Sequence, residues 1–140
     1  MAKTREKVAR RPRILITERD LKILESMVGH SGPGTAAINL LEEELARAVV
    51  VGDTARARPF CRIGSWVTYE DMNTAQVRNI QVVLPADADI DKRQVSILSL
   101  VGASLLGLAV DAEFDWSDDH GRPHRLKVLH VGGEPDARLG

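Results

Sequence analysis

The stretch VSILSLVGASLLGLAV, residues 95–110, constrains the fold of this chain more than any other segment. It contains no charged side chain, yet Gly102, Gly107 and three serines interrupt it. A membrane-spanning helix needs about 20 consecutive apolar residues, so the stretch is too short to cross a bilayer. We therefore expect it to be buried in a folded domain, bound by a partner, or both.

The composition limits the number of domains and the class of protein that the chain can form. A chain of 140 residues with 44% hydrophobic residues can bury one core, or one small domain with an appendage. The single cysteine, Cys61, excludes an internal disulfide framework, and no apolar core of a signal peptide follows the basic N-terminus. These features predict a folded cytoplasmic protein without a membrane segment.

Charge is unevenly distributed along the chain. Residues 1–13 carry six Lys or Arg and one Glu, a local net charge of +5, which leaves −6 for the remainder of a chain with net charge −1. Such a leader is either disordered and solvated or an arm that contacts nucleic acid or an acidic protein surface. Elsewhere no basic stripe alternates with aromatic residues, so sequence-specific DNA binding is not predicted.

Residues 14–51 have the pattern of a helical hairpin. Thr17 is suited to cap a first helix that Gly29 ends, and Thr35 is suited to cap a second. Two short helices joined by a tight turn pack antiparallel, which predicts a short coiled coil whose apolar face the next domain or a second copy completes. The second apolar stripe comprises Ile38, Leu41, Leu45 and Ala48.

A polar linker, residues 52–59, precedes a half with a different period. Residues 60–132 show alternation or β-branched enrichment typical of a small antiparallel sheet, and residues 133–140 form a tail. In RLKVLHV, the alternation places Leu126, Val128 and His130 on one face and Val131 on the other. The predicted strands are Phe60–Tyr69, Val77–Leu84, Val95–Leu98, Ala112–Trp116 and Arg125–Val131.

The stretch of residues 95–110 divides into two parts. Val95–Leu98 can form a strand, whereas residues 102–107 are too glycine-rich for a central strand and too few for a long helix. They predict one or two helical turns, ended by Gly107, that place Leu105 and Leu106 on the sheet. The fold class is therefore α+β, with one short helix in the sheet domain.

Several segments together carry a family resemblance: PRILITERDLKILESMVG, AAINLLEEELARAVVV, RIGSWVTYED, the run VVLPADADIDKRQVSILSLVGASLLGLAV, and FDW. Over about residues 12–131 the chain resembles the regulator of nucleoside diphosphate kinase (Rnk) family, which is related to the Gre transcript-cleavage factors. The resemblance implies an FKBP-like C-terminal domain on a short N-terminal coiled coil. It also implies binding to bacterial RNA polymerase near the secondary channel.

The resemblance also implies a docking surface. In Gre-type proteins the corresponding segment lies at or near the surface that contacts the polymerase, with a proline where this chain has Leu100. Two arrangements are compatible with this position. In the first, Leu105 and Leu106 are buried and Ser99–Val101 are presented to the partner. In the second, the leucines are core and only the serines are exposed. A second departure is Asp111-Ala112, where the family has Gly-Asp. The implied docking residues are Ser99, Leu100, Val101, Gly102 and Ser104.

The hairpin tip argues against transcript cleavage. Gre factors place two carboxylates at the tip of a long coiled coil beside the catalytic magnesium of the polymerase, because Mg²⁺ prefers hard oxygen ligands. Here the tip is His30, Ser31, Gly32 and Pro33 between two glycines, and it contains no carboxylate. The remaining cleavage-factor hypothesis uses Glu42–Glu44, which mid-helix salt pairing explains better.

No enzyme site is predicted. An FKBP-like prolyl isomerase would need an aromatic pocket, whereas the sheet core needs most of the five aromatic residues. The cluster from Asp118 to His124 has metal-ligating side chains but also Gly121 and Pro123, as in an ordinary polar turn. Cys61 is predicted to be a buried, unreactive thiol. The prediction is a monomeric polymerase-binding regulator without cofactor or metal that competes with Gre factors, although a dimer is also compatible.

Overall fold

The computed structural model describes residues 12–29, 35–52, 59–118 and 120–132. The basic leader up to residue 11, the hairpin tip at residues 30–34, most of the linker and the tail from residue 133 lie outside the described residues. Expectations for these segments therefore stay predictions.

The N-terminal unit contains both predicted helices. Strand β1 (Leu15–Thr17) leads into α1 (Glu18–Gly29), and α2 (Ala36–Arg47) leads into β2 (Val49–Val51). The Thr17 hydroxyl oxygen accepts from the amide of Asp20 at 3.1 Å, which confirms the predicted cap of the first helix. The Thr35 hydroxyl accepts from the amide of Ile38 at 3.3 Å and caps the second.

Two short strands flank this hairpin, and neither was predicted from the sequence. Strands β1 and β2 pair in parallel, with Leu15 opposite Val49 and Thr17 opposite Val51. Ala48, predicted inside the second helix, is extended, because three consecutive β-branched valines favour strand over helix. The amide of Leu15 also donates to the carbonyl of Gly107 at 3.1 Å, which links β1 to the C-terminal half.

The C-terminal half is a five-stranded sheet in the order β5-β4-β3-β7-β6. Three of its strand pairs are antiparallel, but β4 and β5 run parallel, so the expectation of a wholly antiparallel sheet is wrong at this edge. Two 3₁₀ turns, Pro85–Asp87 and Ile90–Lys92, lie in the connection between β4 and β5. The elements are β3 (Trp66–Asp71), β4 (Gln76–Val83), β5 (Gln94–Ser96), α3 (Leu100–Leu105), β6 (Glu113–Ser117) and β7 (Pro123–Gly132).

The first strand of this sheet starts later than predicted. Phe60 makes only an isolated bridge with Ala109, and the regular strand begins at Trp66. Gly64, at φ +97°, lies in a turn in which the amide of Ser65 donates to the carbonyl of Arg62. This left-handed glycine is incompatible with a continuous strand from Phe60 to Tyr69.

A bulge changes the face assignment in β7. The register with β3 shifts between Thr68 and Tyr69, because Thr68 pairs with His130 whereas Tyr69 pairs with Val128. Val131 is therefore buried on the same side as Val128, and His130 is exposed. The sequence prediction had these two residues reversed, since strict alternation cannot anticipate an extra residue in one strand.

One apolar cluster unites the two halves. Leu24 of α1 and Leu41 of α2 are fully buried in the same cluster as Leu105, Leu108 and core side chains of the sheet. The helical stripes are thus buried against the C-terminal half as well as against each other. The coiled-coil and FKBP-like descriptions stay predictions.

Candidate partner-binding site

The predicted docking residues lie on the short helix α3 and its N-cap, within the stretch of residues 95–110. Its N-cap is Ser99, whose hydroxyl oxygen accepts from the amide of Gly102 at 3.0 Å. The same hydroxyl donates to the carbonyl of Ser96 at 2.7 Å. Ser99 therefore holds the start of the helix, which orients the two residues that follow it.

Gly102 and Ser104 lie inside the molecule. A Cβ at Gly102 would lie 2.1 Å from the carbonyl oxygen of Ser96, so only glycine allows this approach. Ser104 is 1% exposed and donates its hydroxyl to the carbonyl of Val101 at 2.8 Å. These two predicted docking residues contribute structure beneath the surface, whereas Leu100 and Val101 are half-buried and reach it.

The leucines of the stretch belong to the core. Leu105 is 0% and Leu106 is 2% exposed, which confirms that they are buried. The alternative in which only the serines are exposed is wrong, because Ser104 is buried. Gly107 ends the helix at φ +86°, and a Cβ there would lie 2.7 Å from the Cβ of Ile14. The stretch is thus a junction between the two halves, with one end at the surface.

A small cleft lies beside α3, and it was not predicted from the sequence. Trp116 of β6 and His124 of β7 stack with ring centroids 4.3 Å apart and planes 10° apart. Together with Val101 and other residues they line a cavity of about 30 Å³. The only available signal was the cross-strand register that places Trp116 opposite His124, and a sequence does not give that register.

The described residues from Asp118 to Arg122 form a polar turn, as the sequence pattern indicates, and Pro123 and His124 begin β7. One carboxylate oxygen of Asp118 accepts from the amides of His120 and Arg122, both at 2.9 Å, and the other lies 2.9 Å from Nε2 of His124. The His124 contact first, and then the amides, lower the pKa of Asp118 to about 2. Across the described residues no three potential ligands come together as a metal site.

Cys61 is buried, as predicted. Burial first, and then the negative charge of Asp20, raise the pKa of its thiol far above the ordinary value. A thiol that stays protonated is a poor nucleophile.

The remaining candidate residues belong to the helical hairpin. His30, Ser31, Gly32 and Pro33 lie outside the described residues. Glu42 and Glu43 are exposed, whereas Glu44 is 2% exposed and lies 2.6 Å from the guanidinium of Arg47. Three of the five aromatic residues, Phe60, Tyr69 and Phe114, are buried in the core.

Of the helices in the described part of the chain, none is long and apolar enough to cross a membrane.

Comparison with protein families defines the class of this fold. Residues 58–132 match the model described as transcription elongation factor, GreA/GreB, C-term, and residues 12–51 match the Rnk N-terminus. Because the first of these models matches more than half of the chain, the chain belongs to the GreA/GreB family through its C-terminal half, and its N-terminal part is similar to the Rnk N-terminus.

Individual relatives agree with this assignment. The chain is 27% identical over 128 residues to the regulator of nucleoside diphosphate kinase of Escherichia coli K12, which covers 91% of this chain and 94% of that protein. It is 35% identical over 77 residues to transcription elongation factor GreA of Thermosipho africanus, covering 54% of this chain and 47% of that protein. A solved GreA/GreB elongation factor from Nitrosomonas europaea matches with a TM-score of 0.69 and 30% identity, over 87% of this chain and 99% of that chain.

Proposed function

We propose that this protein is a non-catalytic transcription regulator that binds bacterial RNA polymerase in the cytoplasm. The GreA/GreB match over residues 58–132 is the observation that carries the proposal, because it spans the whole sheet and the candidate docking helix. The C-terminal half anchors on the polymerase near the secondary channel, and the helical hairpin occupies the entrance. Since two proteins cannot occupy one entrance, it competes with Gre factors.

Two features support a regulator rather than a cleavage factor. Each hairpin helix has 12 residues, about 18 Å at about 1.5 Å per residue, which is a short reach into a deep channel. The tip sequence between Gly29 and Thr35 contains no Asp or Glu that could hold a catalytic Mg²⁺.

The docking surface in this proposal centres on Leu100 and Val101. Both are half-buried, and Ser99 fixes the helix start that presents them. Gly102 acts beneath this surface by allowing α3 to pack closely on the chain around Ser96, and the Ser104 hydroxyl donates to the carbonyl of Val101. The protein acts as a monomer, with one copy at one channel.

The first experiment is a pull-down of purified core polymerase, followed by a cleavage assay on stalled complexes with a Gre factor present. We expect binding, no cleavage by this protein alone, and loss of Gre-stimulated cleavage as its concentration rises. Absence of binding at micromolar protein would refute the proposal. Leu100→Ser, which removes an apolar contact at the surface, should weaken binding several-fold, whereas Ile90→Ser, on an exposed turn elsewhere, should not.

The rival proposal, cleavage through mid-helix carboxylates, has its own test. Glu44 is buried against Arg47 and is unsuitable for a clean substitution, so the exposed Glu42 and Glu43 are changed to Ala together. If the wild-type protein stimulates cleavage and the double variant does not, the cleavage-factor assignment replaces ours.

A further inference from the structure

Strand β2 has one edge that no other strand of the described chain covers. The amide of Val49 donates to the carbonyl of Ile14 at 2.9 Å, so the main-chain groups of Val49 point toward β1. Because these groups alternate in direction along a strand, those of Val50 point away from β1. In the described part of the chain, no hydrogen bond takes up the Val50 amide or carbonyl. The outer edge of β2 is therefore open for pairing.

The neighbours of Val50 extend this edge to residues 48–52. Ala48 is extended (φ −70°, ψ 149°), and its carbonyl, two residues before that of Val50, points to the same side. The amide of Gly52, two residues after Val50, does so as well. A Cβ built on Gly52 has no atom of the described residues within 4 Å, so the chain here is accessible. Acceptors and donors thus follow each other along the edge.

The side chains of β2 do not protect this edge. Natural proteins shield edge strands with lysine, proline, other charged side chains or a bulge. Strand β2 has the sequence VVV, and Val49 and Val50 are 38% and 46% exposed. The edge strand β6 of the larger sheet differs, because it carries Glu113 and Asp115. A run of exposed valines favours pairing with another strand.

The order of donors and acceptors along the edge is complementary to itself. In an antiparallel pair of identical strands centred on Val50, the two Val50 residues exchange both of their hydrogen bonds. The amide of Gly52 in each copy then donates to the carbonyl of Ala48 in the other. Two-fold symmetry satisfies all of these groups at once, and the two exposed Val50 side chains contact each other on one face.

We propose that the free protein forms a homodimer in which the β2 strands of two copies pair antiparallel across Val50. The interface is small, because stable complexes bury roughly 1,200–2,000 Å² in total and residues 48–52 of each copy bury less. We therefore expect a reversible dimer with a Kd on the order of 100 µM. The dimer is a state of the free protein, and its formation does not require the polymerase.

Cross-linking tests the register of this pair. Val49 of one copy lies opposite Val51 of the other at a non-hydrogen-bonded position, where Cβ atoms come within about 4.5–5.5 Å. A mixture of Val49→Cys and Val51→Cys proteins should therefore form a mixed disulfide dimer under mild oxidation near the expected Kd. Each variant alone, and Val49→Cys mixed with Val77→Cys, should cross-link roughly tenfold less. The native Cys61 is 1% exposed and does not compete.

Sedimentation equilibrium of the full chain gives an independent measurement. The wild-type protein should form a concentration-dependent dimer, whereas Val50→Lys places like charges opposite each other and should raise the Kd roughly tenfold or more. Val77→Lys is the matched control. It changes a valine that is 59% exposed on β4, a strand already paired on both sides, and should leave the Kd unchanged. Thermal unfolding verifies that both lysine variants fold.

Three results would overturn the dimer. They are a wild-type protein that stays monomeric well above the expected Kd, cross-links that form equally in every cysteine mixture, and an equal Kd for the two lysine variants. A monomeric wild-type protein whose binding to core polymerase is lost in Val50→Lys and kept in Val77→Lys would also overturn it, and would assign the edge of β2 to the polymerase. Absence of polymerase binding would overturn the proposed function and leave the dimer intact.

Discussion

The N-terminal unit and the five-stranded sheet bury their apolar residues in different ways. The sheet brings Val67, Phe114 and Val128 together from separate strands and has much of its core within one half. The two helices bury Leu24 and Leu41 in a cluster shared with α3. Two helices of 12 residues are marginal alone in water, so this unit depends on the sheet. We infer that packing against the C-terminal half, more than the contact between the two helices, stabilises the N-terminal unit.

Substitution of a core residue where the helical hairpin packs against the C-terminal half should destabilise the protein most. Leu41→Ala removes a fully buried side chain of α2 and should lower the free energy of unfolding by about 4 kcal/mol. Both tryptophans lie in the sheet, so fluorescence reports the sheet while far-ultraviolet circular dichroism reports the helices. Both signals should shift together in urea. A shift in circular dichroism alone would mean that the halves unfold independently, and Val50→Ala, at a 46% exposed position, is the control.

Gly102→Ala should be nearly as damaging, because the new Cβ meets the carbonyl oxygen of Ser96 at 2.1 Å and main chain must move. We expect a loss of about 3 kcal/mol in urea unfolding. Gly52→Ala, whose added Cβ has no atom of the described residues within 4 Å, should change stability little. Equal effects of the two substitutions would contradict the close packing of α3.

Asp20→Ala tests a polar contact between the halves. The Asp20 carboxylate, 6% exposed at the start of α1, accepts from the amide of Ile63 at 2.9 Å. Its removal leaves that amide without this acceptor and should cost about 2 kcal/mol. Glu18→Ala removes an exposed charge from the same helical turn and should cost about 0.5 kcal/mol, the macrodipole contribution alone. A similar cost for both variants would show that the contact with Ile63 contributes nothing.

Substitution of Asp118, in the turn between β6 and β7, should have a smaller effect on stability, and the effect should depend on pH. Its folded pKa of about 2 lies below the ordinary 3.8, so the ionised carboxylate stabilises the turn above about pH 4, and this contribution is lost as pH falls toward 2. Asp118→Asn should therefore lower the melting temperature at pH 5 more than at pH 2.5. His124→Gln, which removes the main partner, should reduce the same pH difference. A pH-independent effect would exclude the ionised pair as the cause.

Asp111→Gly should give the smallest effect, and a stabilising one. Asp111 adopts φ +73°, a left-handed conformation that glycine adopts without strain. Relief of strain, partly offset by the larger entropy of glycine in the unfolded chain, should add about 0.5 kcal/mol in urea unfolding. Asp111→Ala keeps the Cβ and should give no gain. Destabilisation by glycine would show that the Asp111 side chain is needed.

The site could be predicted only in part. Family resemblance pointed to residues 99–104, but spacing could not tell that Gly102 and Ser104 lie inside while Val101 reaches the surface. The contact between Trp116 and His124 could not be predicted, because the two residues become neighbours only through the register of β6 and β7.

The local features of this protein can be predicted from short segments of its sequence. Thr17 and Thr35 as helix caps, Gly107 as a helix end, the turn at Asp118 and the burial of Leu105 all follow from side-chain chemistry over a few residues. The parallel strand pairs, the bulge in β7 and the cleft beside α3 could not be predicted in this way. These depend on contacts between residues distant in the chain, whose register is selected by packing of the whole core.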